Sequence, residues 1–301
     1  MKLIGDIGGT KVLLALADAA GAITHKRRLA SADFAHFDDL VGEYLHGLSV
    51  AIDGGCLAVA GPVAEDGRTA KITNLPWTID AGVLEKRFGL GRLTLINDFA
   101  GVAAGVACLP PDQRVTLQAG LPARDGVRLV IGAGTGLGMA ILEGDTILPS
   151  EGGHVGFAPT NDTEARLWSG LMAVHGRVTA ERVISGPGLA AIHRVLTGVE
   201  LAPADISERA LAGERDALAT VEAFFTAYGS FAGDMAMAVM ARGGVYLAGG
   251  VTQRLLPLLP RQRFLDAFNA KAEHADLVRN FPVHVVTDPD IGLHGAYAKA
   301  I

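Results

Sequence analysis

The stretch Gly5-Asp6-Ile7-Gly8-Gly9-Thr10-Lys11 decides how this chain is read. A short apolar run, Leu3 and Ile4, leads into it, and another, Val12 to Leu16, leaves it. The pattern predicts a strand, a tight glycine turn and a second strand. With no Cβ in the way, glycines at such a turn let backbone N–H groups close on an anion. Asp6 would repel a bare phosphate but suits one that carries Mg²⁺. Taken alone, the stretch reads equally well as a phosphate clamp with a metal and as a plain β-hairpin turn.

A second turn changes the balance. Gly132-Ala133-Gly134-Thr135-Gly136-Leu137-Gly138 lies between the apolar runs Leu129–Ile131 and Met139–Leu142. It repeats the strand, Gly/Thr turn, strand pattern. A third apolar-then-glycine unit is Val245-Tyr246-Leu247-Ala248-Gly249-Gly250-Val251. A P-loop requires Gly-Lys-Ser/Thr, and no lysine in this chain follows a glycine. A dinucleotide fingerprint read from Gly132 requires glycine where Leu137 stands, and a helix where a strand is predicted.

The 301 residues are half hydrophobic and only 19% charged, the composition of an ordered globular chain of one large or two medium domains. The 39 glycines are scattered along predicted strands, which suits α/β turns rather than disorder. A net charge of −6 argues against a nucleic-acid partner, which requires a basic face. Cys56 and Cys108 form no pairing framework, and both read as small core residues in a reducing compartment. The start Met1-Lys2-Leu3-Ile4 goes straight into structure, with no signal peptide and no apolar run long enough to span a bilayer. A cytoplasmic protein, without membrane contact, is expected.

The paired glycine turns resemble the phosphate loops of the sugar kinase, heat-shock chaperone and actin superfamily. Leu95-Ile96-Asn97-Asp98, Glu151-Gly152-Gly153-His154, Ala180-Glu181-Arg182-Val183 and Ser185-Gly186-Pro187-Gly188 narrow the resemblance to bacterial glucokinases. It runs from Gly5 to the C-terminal helix. It implies an α/β fold of the duplicated actin-like ATPase (ribonuclease H-like) type, two lobes with an interlobe cleft. The expected lobes are 1–107 plus 288–301, and 108–287. The implied reaction is phosphorylation of D-glucose at the 6-hydroxyl, with ATP and Mg²⁺, by a homodimer. Many relatives in the broader repressor and kinase family carry a cysteine-rich zinc site and Glu-Ile-Gly-His. This chain has no cysteine cluster and so resembles the zinc-free glucokinase branch. It also starts its first strand at residue 2, without an N-terminal DNA-binding segment.

Periodicity predicts strands over Lys2–Asp6, Lys11–Asp18, Ile23–Leu29, Cys56–Ala60, Arg68–Asn74, Leu93–Ile96 and Val283–Val286. It predicts helices over Phe37–Leu48, Thr78–Arg87, Ala217–Met240, Arg263–Val278 and Ile291–Ala300. The face Val221, Phe225, Tyr228, Ala232 and Met235 reads as core packing. The order strand–strand–strand–helix–strand–helix–strand begins again near Arg128, an internal duplication.

The resemblance distributes roles. Gly8, Gly9 and Thr10 would donate to the β- and γ-phosphates, with Lys11 a candidate charge partner. Gly134, Thr135 and Gly136 would do the same from the second half, and a branched side chain at Gly134 would meet a positive φ. Asp6 would order Mg²⁺ through water. Gly249 and Gly250 would admit the adenine–ribose end, with a tight strand–helix turn as the alternative. Asp98 is the candidate general base, and Asn97 a sugar ligand; the alternative for Asp98 is a helix N-cap. Glu151 and His154 would hold sugar hydroxyls, as would Glu181 and Asn74. A metal pair is the other reading of Glu151 and His154, and a first-turn helix glutamate that of Glu181. Trp77 reads as packing under the Asn74 loop.

Three rivals remain. One is a kinase for another hexose or an N-acetylated amino sugar. Another is a non-catalytic sugar sensor on the same fold. The last is an actin-like polymer or chaperone ATPase, which would not need the Glu/His set.

Overall fold

The computed structural model describes residues 1–73 and 75–300. They divide into two compact units, Met1–Leu109 with Pro289–Ile301, and Pro110–Asp288.

The first unit opens with β1 (Lys2–Ile7), β2 (Lys11–Ala17) and β3 (Ile23–Ala30). Helix α1 (Phe37–Leu45) follows, then β4 (Gly54–Val59), the short β5 (Thr69–Lys71) and β6 (Thr78–Asp80). α2 (Ala81–Phe88), β7 (Arg92–Asn97) and α3 (Asp98–Ala107) complete its first pass. The second unit holds β8 (Arg114–Gln118), β9 (Arg128–Ala133), β10 (Leu137–Glu143) and β11 (Thr146–Ser150). Four helices come next: α4 (Asp162–His175), α5 (Gly186–Thr197), α6 (Pro203–Leu211) and α7 (Arg215–Val239). Then come β12 (Gly244–Ala248), α8 (Gly250–Leu255), α9 (Arg261–Asn269), α10 (Ala275–Val278) and β13 (Val283–Val286). The chain ends in α11 (Ile291–Ala298), which belongs to the first unit.

The first sheet has the order β3-β2-β1-β4-β7, the second β11-β10-β9-β12-β13-β8. In the first, β1–β2 and β2–β3 are antiparallel while β1–β4 and β4–β7 are parallel. In the second, β9–β10 and β10–β11 are antiparallel while β9–β12 and β12–β13 are parallel. β8 adds an antiparallel edge. In both sheets the central strands therefore end on one side, where α/β sheets present ligands.

The period-two alternation of β1 sorts its side chains. Leu3 and Ile7 join Phe37, Leu40 and Tyr44 of α1 on one face. Ile4 packs with Leu293 and Ala296 of α11 on the other. Asp6 shares the face of Ile4, so the alternation alone sends its carboxylate toward α11. In the second unit, α7 presents Val221, Phe225, Tyr228 and Ala232 to the core, with Met235 packed at its edge.

Several expectations are corrected. Thr78–Asp80 is a strand rather than a first helical turn, because Asp80 accepts the N–H groups of Gly82 and Val83 and so starts α2 at Ala81. The single helix expected over Arg263–Val278 is broken after Asn269. Lys271 is drawn inward, with Nζ 2.7 Å from Asp234 and donating to Ser230 O at 2.9 Å, and Ala272 takes φ +46° beyond it. α1 stops at Leu45 and leaves Leu48 outside. Cys56 is buried, but Cys108 is exposed and not a core residue. Periodicity did not reveal α4, α5 and α6, although each has local start signals, such as the Asn161 and Ser185 side-chain caps. Among the described residues no helix is long and apolar enough to cross a membrane.

Candidate functional site

In the first unit the turn after β1 closes on itself. The Gly8 N–H donates to Lys11 O at 3.0 Å. That donor is already engaged, so the anion-facing N–H groups this turn can offer come from its neighbours Gly9 and Thr10. Neither Gly8 nor Gly9 has a positive φ; a Cβ on Gly9 would stand 3.2 Å from Thr73 O. The turn is braced by Ser31, a buried residue that nothing in the sequence pattern singled out. Its Oγ donates to Gly8 O at 3.1 Å and its N–H to Thr10 O at 3.1 Å.

Asp6 is half-buried at the end of β1. Burial pushes its carboxyl above the ordinary range; Lys11 opposes the shift, and Asp290 adds to it. Lys11 is exposed, yet its charge reaches Asp6. Asp290 is itself paired with Lys26 at 2.6 Å. Gly292 lies against Asp6: a Cβ there would be 3.2 Å from Oδ2. An acid disfavoured by burial and by a second carboxylate is a group whose charge a cation would stabilise. Its oxygens are the hard donors that Mg²⁺ takes, directly or through water. The residues present therefore fit a hydrated magnesium ion.

β7 delivers Asn97 and Asp98 at its carboxyl end. Asn97 Oδ1 accepts the N–H groups of Phe99 at 2.9 Å and Ala100 at 3.2 Å, and its Nδ2 donates to Gly61 O at 3.4 Å. The cap of α3 is thus Asn97, and its acceptor oxygen is engaged. Asp98 becomes the first helical residue, with Oδ1 accepting the Phe99 N–H at 2.8 Å. Burial raises the Asp98 carboxyl to about 6; the Phe99 N–H opposes this, and the Asp6 charge adds to it. A carboxylate near that value is suited to take a hydroxyl proton at neutral pH. Asn74 lies outside the described residues. Trp77 is buried against Phe37 and donates to Ala35 O, a packing residue as expected.

In the second unit the turn after β9 brings together three separate segments. Gly134 N–H closes on Gly136 O at 2.8 Å, and Thr135 is exposed. Gly134 has no positive φ, and a Cβ on it would meet nothing within 4 Å, so the backbone constraint expected there is not found. Glu151 and His154 flank a 3₁₀ turn, Gly152–His154. Its two glycines press on β10, where a Cβ on Gly153 would be 2.0 Å from Leu137 O and one on Gly152 2.2 Å from Met139 Cε. The close approach leaves Glu151 and His154 exposed, 3.3 Å apart. Glu181 stands in the turn 181–183, outside any helix, which removes the reading as a first-turn helix glutamate. Its N–H donates to Gly153 O at 2.9 Å, its Oε2 accepts the Leu137 N–H at 2.9 Å, and its Oε1 lies 3.8 Å from His154 Nε2. Among the described residues no group of three or more His, Cys, Asp or Glu is placed to hold a metal ion. Ser185 caps α5 through Gly188 N–H.

Gly249 follows β12 with φ +93°, and a Cβ there would be 2.3 Å from Ala133 O. Its glycine is required by the strand–helix turn against β9. Gly250 begins α8 in open space.

The glucokinase family profile matches residues 3–301. A glucokinase of Salmonella heidelberg is 36% identical over 98% of this chain and 95% of its own length. The crystal structure of a glucokinase from an Antarctic psychrotroph superposes with a TM-score of 0.85 at 34% identity, covering 99% of this chain and 97% of that one. A glucokinase of the repressor and kinase family from Streptomyces griseus, solved with glucose and AMPPNP, shares the fold at a TM-score of 0.69 and 20% identity, covering 99% of this chain and 98% of its own. With the profile spanning nearly every residue, this chain belongs to the glucokinase family.

Proposed function

We propose that the chain transfers the γ-phosphoryl group of ATP to the 6-hydroxyl of D-glucose, with Asp98 as general base. Family membership carries the reaction. The observation that carries the base is Asp98 itself, half-buried at the end of β7 with its carboxyl near 6, while Asn97 caps the helix. Asp98 accepts the proton of the 6-hydroxyl as that oxygen bonds to the γ-phosphorus, and ADP leaves with the bridging oxygen.

The remaining roles follow from the two clusters. Glu151, His154 and Glu181 take sugar hydroxyls: carboxylates accept, and imidazole donates or accepts. Gly9, Thr10 and Thr135 offer N–H or hydroxyl donors to the phosphates. Asp6 would hold the hydrated Mg²⁺, which neutralises phosphate charge when bound. Asn97 has little left to offer a sugar beyond its amide N–H. We read the two units as the lobes of a duplicated actin-like ATPase fold, supported by the common strand order of the two sheets. The interlobe cleft, a homodimer and a cytoplasmic setting belong to this proposal.

ADP release coupled to a hexose panel tests the reading. Glucose should be the preferred acceptor, and an N-acetylated amino sugar or mannose preferred over glucose would overturn the substrate assignment. ATP turnover that ignores every sugar would overturn the kinase reading.

A further inference from the structure

Both carboxylate oxygens of Glu181 bear on its function. Oε2 accepts the Leu137 N–H at 2.9 Å, and Oε1 lies toward His154. The same residue is tied by its own N–H to Gly153 O. One side chain therefore joins the glycine turn after β9 to the Glu151–His154 loop. Room for it exists because residue 136 lacks a side chain. A Cβ there would be 2.5 Å from Oε2 and 3.3 Å from the carboxyl carbon. Neither Gly134 nor Gly136 has a positive φ, and a Cβ on Gly134 would meet nothing within 4 Å. Of these two glycines, only Gly136 is required by a contact, and its partner is the sugar-side carboxylate rather than backbone.

We propose that Gly136, placed in a phosphate turn by its sequence, is a sugar-positioning residue. Its missing Cβ lets Glu181 dock on the Leu137 N–H, and this bond fixes the carboxylate that meets the sugar. The inference rests on the reading of Glu181 as a sugar ligand. An alanine at 136 would find space by pushing the flexible end of Glu181 aside. The fold would survive, and the bond to Leu137 would not.

Calorimetric titration with glucose, without nucleotide, tests this on wild type, Gly136→Ala, Gly134→Ala and Glu181→Ala. Gly136→Ala should weaken glucose binding by about tenfold or more, the loss of a charge-assisted hydrogen bond. Gly134→Ala should stay within about twofold of wild type. Affinity of Gly136→Ala for a non-hydrolysable ATP analogue should stay within about threefold of wild type. Amide exchange at Leu137 should accelerate in Gly136→Ala and Glu181→Ala only. If Glu181→Ala loses glucose and Gly136→Ala does not, this proposal is overturned and the sugar reading stands. If Glu181→Ala binds glucose normally, the sugar reading itself falls, and this proposal with it. A Gly136→Ala protein that loses nucleotide and keeps glucose would place residue 136 on the phosphates and overturn the proposal.

Discussion

Asn97 caps α3 in place of Asp98: its Oδ1 takes the N–H groups of Phe99 and Ala100, while Asp98 keeps one oxygen on Phe99 N–H. The division matters because a carboxylate serving as sole cap could not be removed without loss of the helix start. Asp98→Asn should therefore leave α3 intact and reduce kcat by about 10²–10⁴, with glucose still bound. Steady-state kinetics and glucose calorimetry on one preparation check it; near-normal turnover would end the base assignment.

The same substitution should stabilise the protein at neutral pH. The folded carboxyl sits near 6, against an unfolded value of 3.8. Between those values the folded state holds more protons, so stability is higher in acid. It falls as pH rises from about 4 to about 6 and stays reduced above. Asp98→Asn removes that cost, by about 1–3 kcal/mol at pH 7.5 and by little at pH 4. Denaturant titrations at the two pH values measure the difference. A loss of stability at pH 7.5 contradicts it.

Catalysis should show the same group. The kcat/KM of wild type for glucose should fall below about pH 6 with unit slope, as Asp98 takes up a proton and can no longer accept one. A rate profile that stays flat down to pH 4.5 would exclude Asp98 as the base.

Glu151 is 90% exposed, so its side chain contributes nothing to packing. Glu151→Gln should melt like wild type yet bind glucose about tenfold or more weakly, because an amide loses the charge-assisted acceptor. Unchanged glucose affinity would make the Glu-Gly-Gly-His loop purely structural.

Gly134→Val probes the turn after β9 from its open side. With no positive φ and nothing near the added Cβ, the fold should be kept, and the branched side chain should fill phosphate space. Affinity for an ATP analogue should fall by about tenfold or more at an unchanged melting temperature. Wild-type nucleotide affinity would remove this turn from the phosphate site.

The sequence by itself determined most of the central strands and the glycine turns, and it nominated the residues whose chemistry suits a phosphoryl transfer. These follow from local rules: short apolar runs set β1, β9 and β12, and glycine after an apolar run marks each turn. Local rules could not show that Asn97 takes the cap, since Asn and Asp are near-equal caps. They placed Gly134 and Gly136 in one class, although an open surface faces one and the Glu181 carboxylate faces the other. They missed Ser31, a common residue whose role lies in reaching back 23 positions to Gly8. They ran a helix through Lys271, which Asp234 pulls out of line. They also put Cys108 in the core. In each case the deciding contact joins residues far apart in the chain, or separates neighbours that periodicity treats alike. Sequence fixes backbone preference and side-chain chemistry at each position. Only packing fixes which donor meets which acceptor, and whether a missing Cβ faces solvent, a strand or a carboxylate.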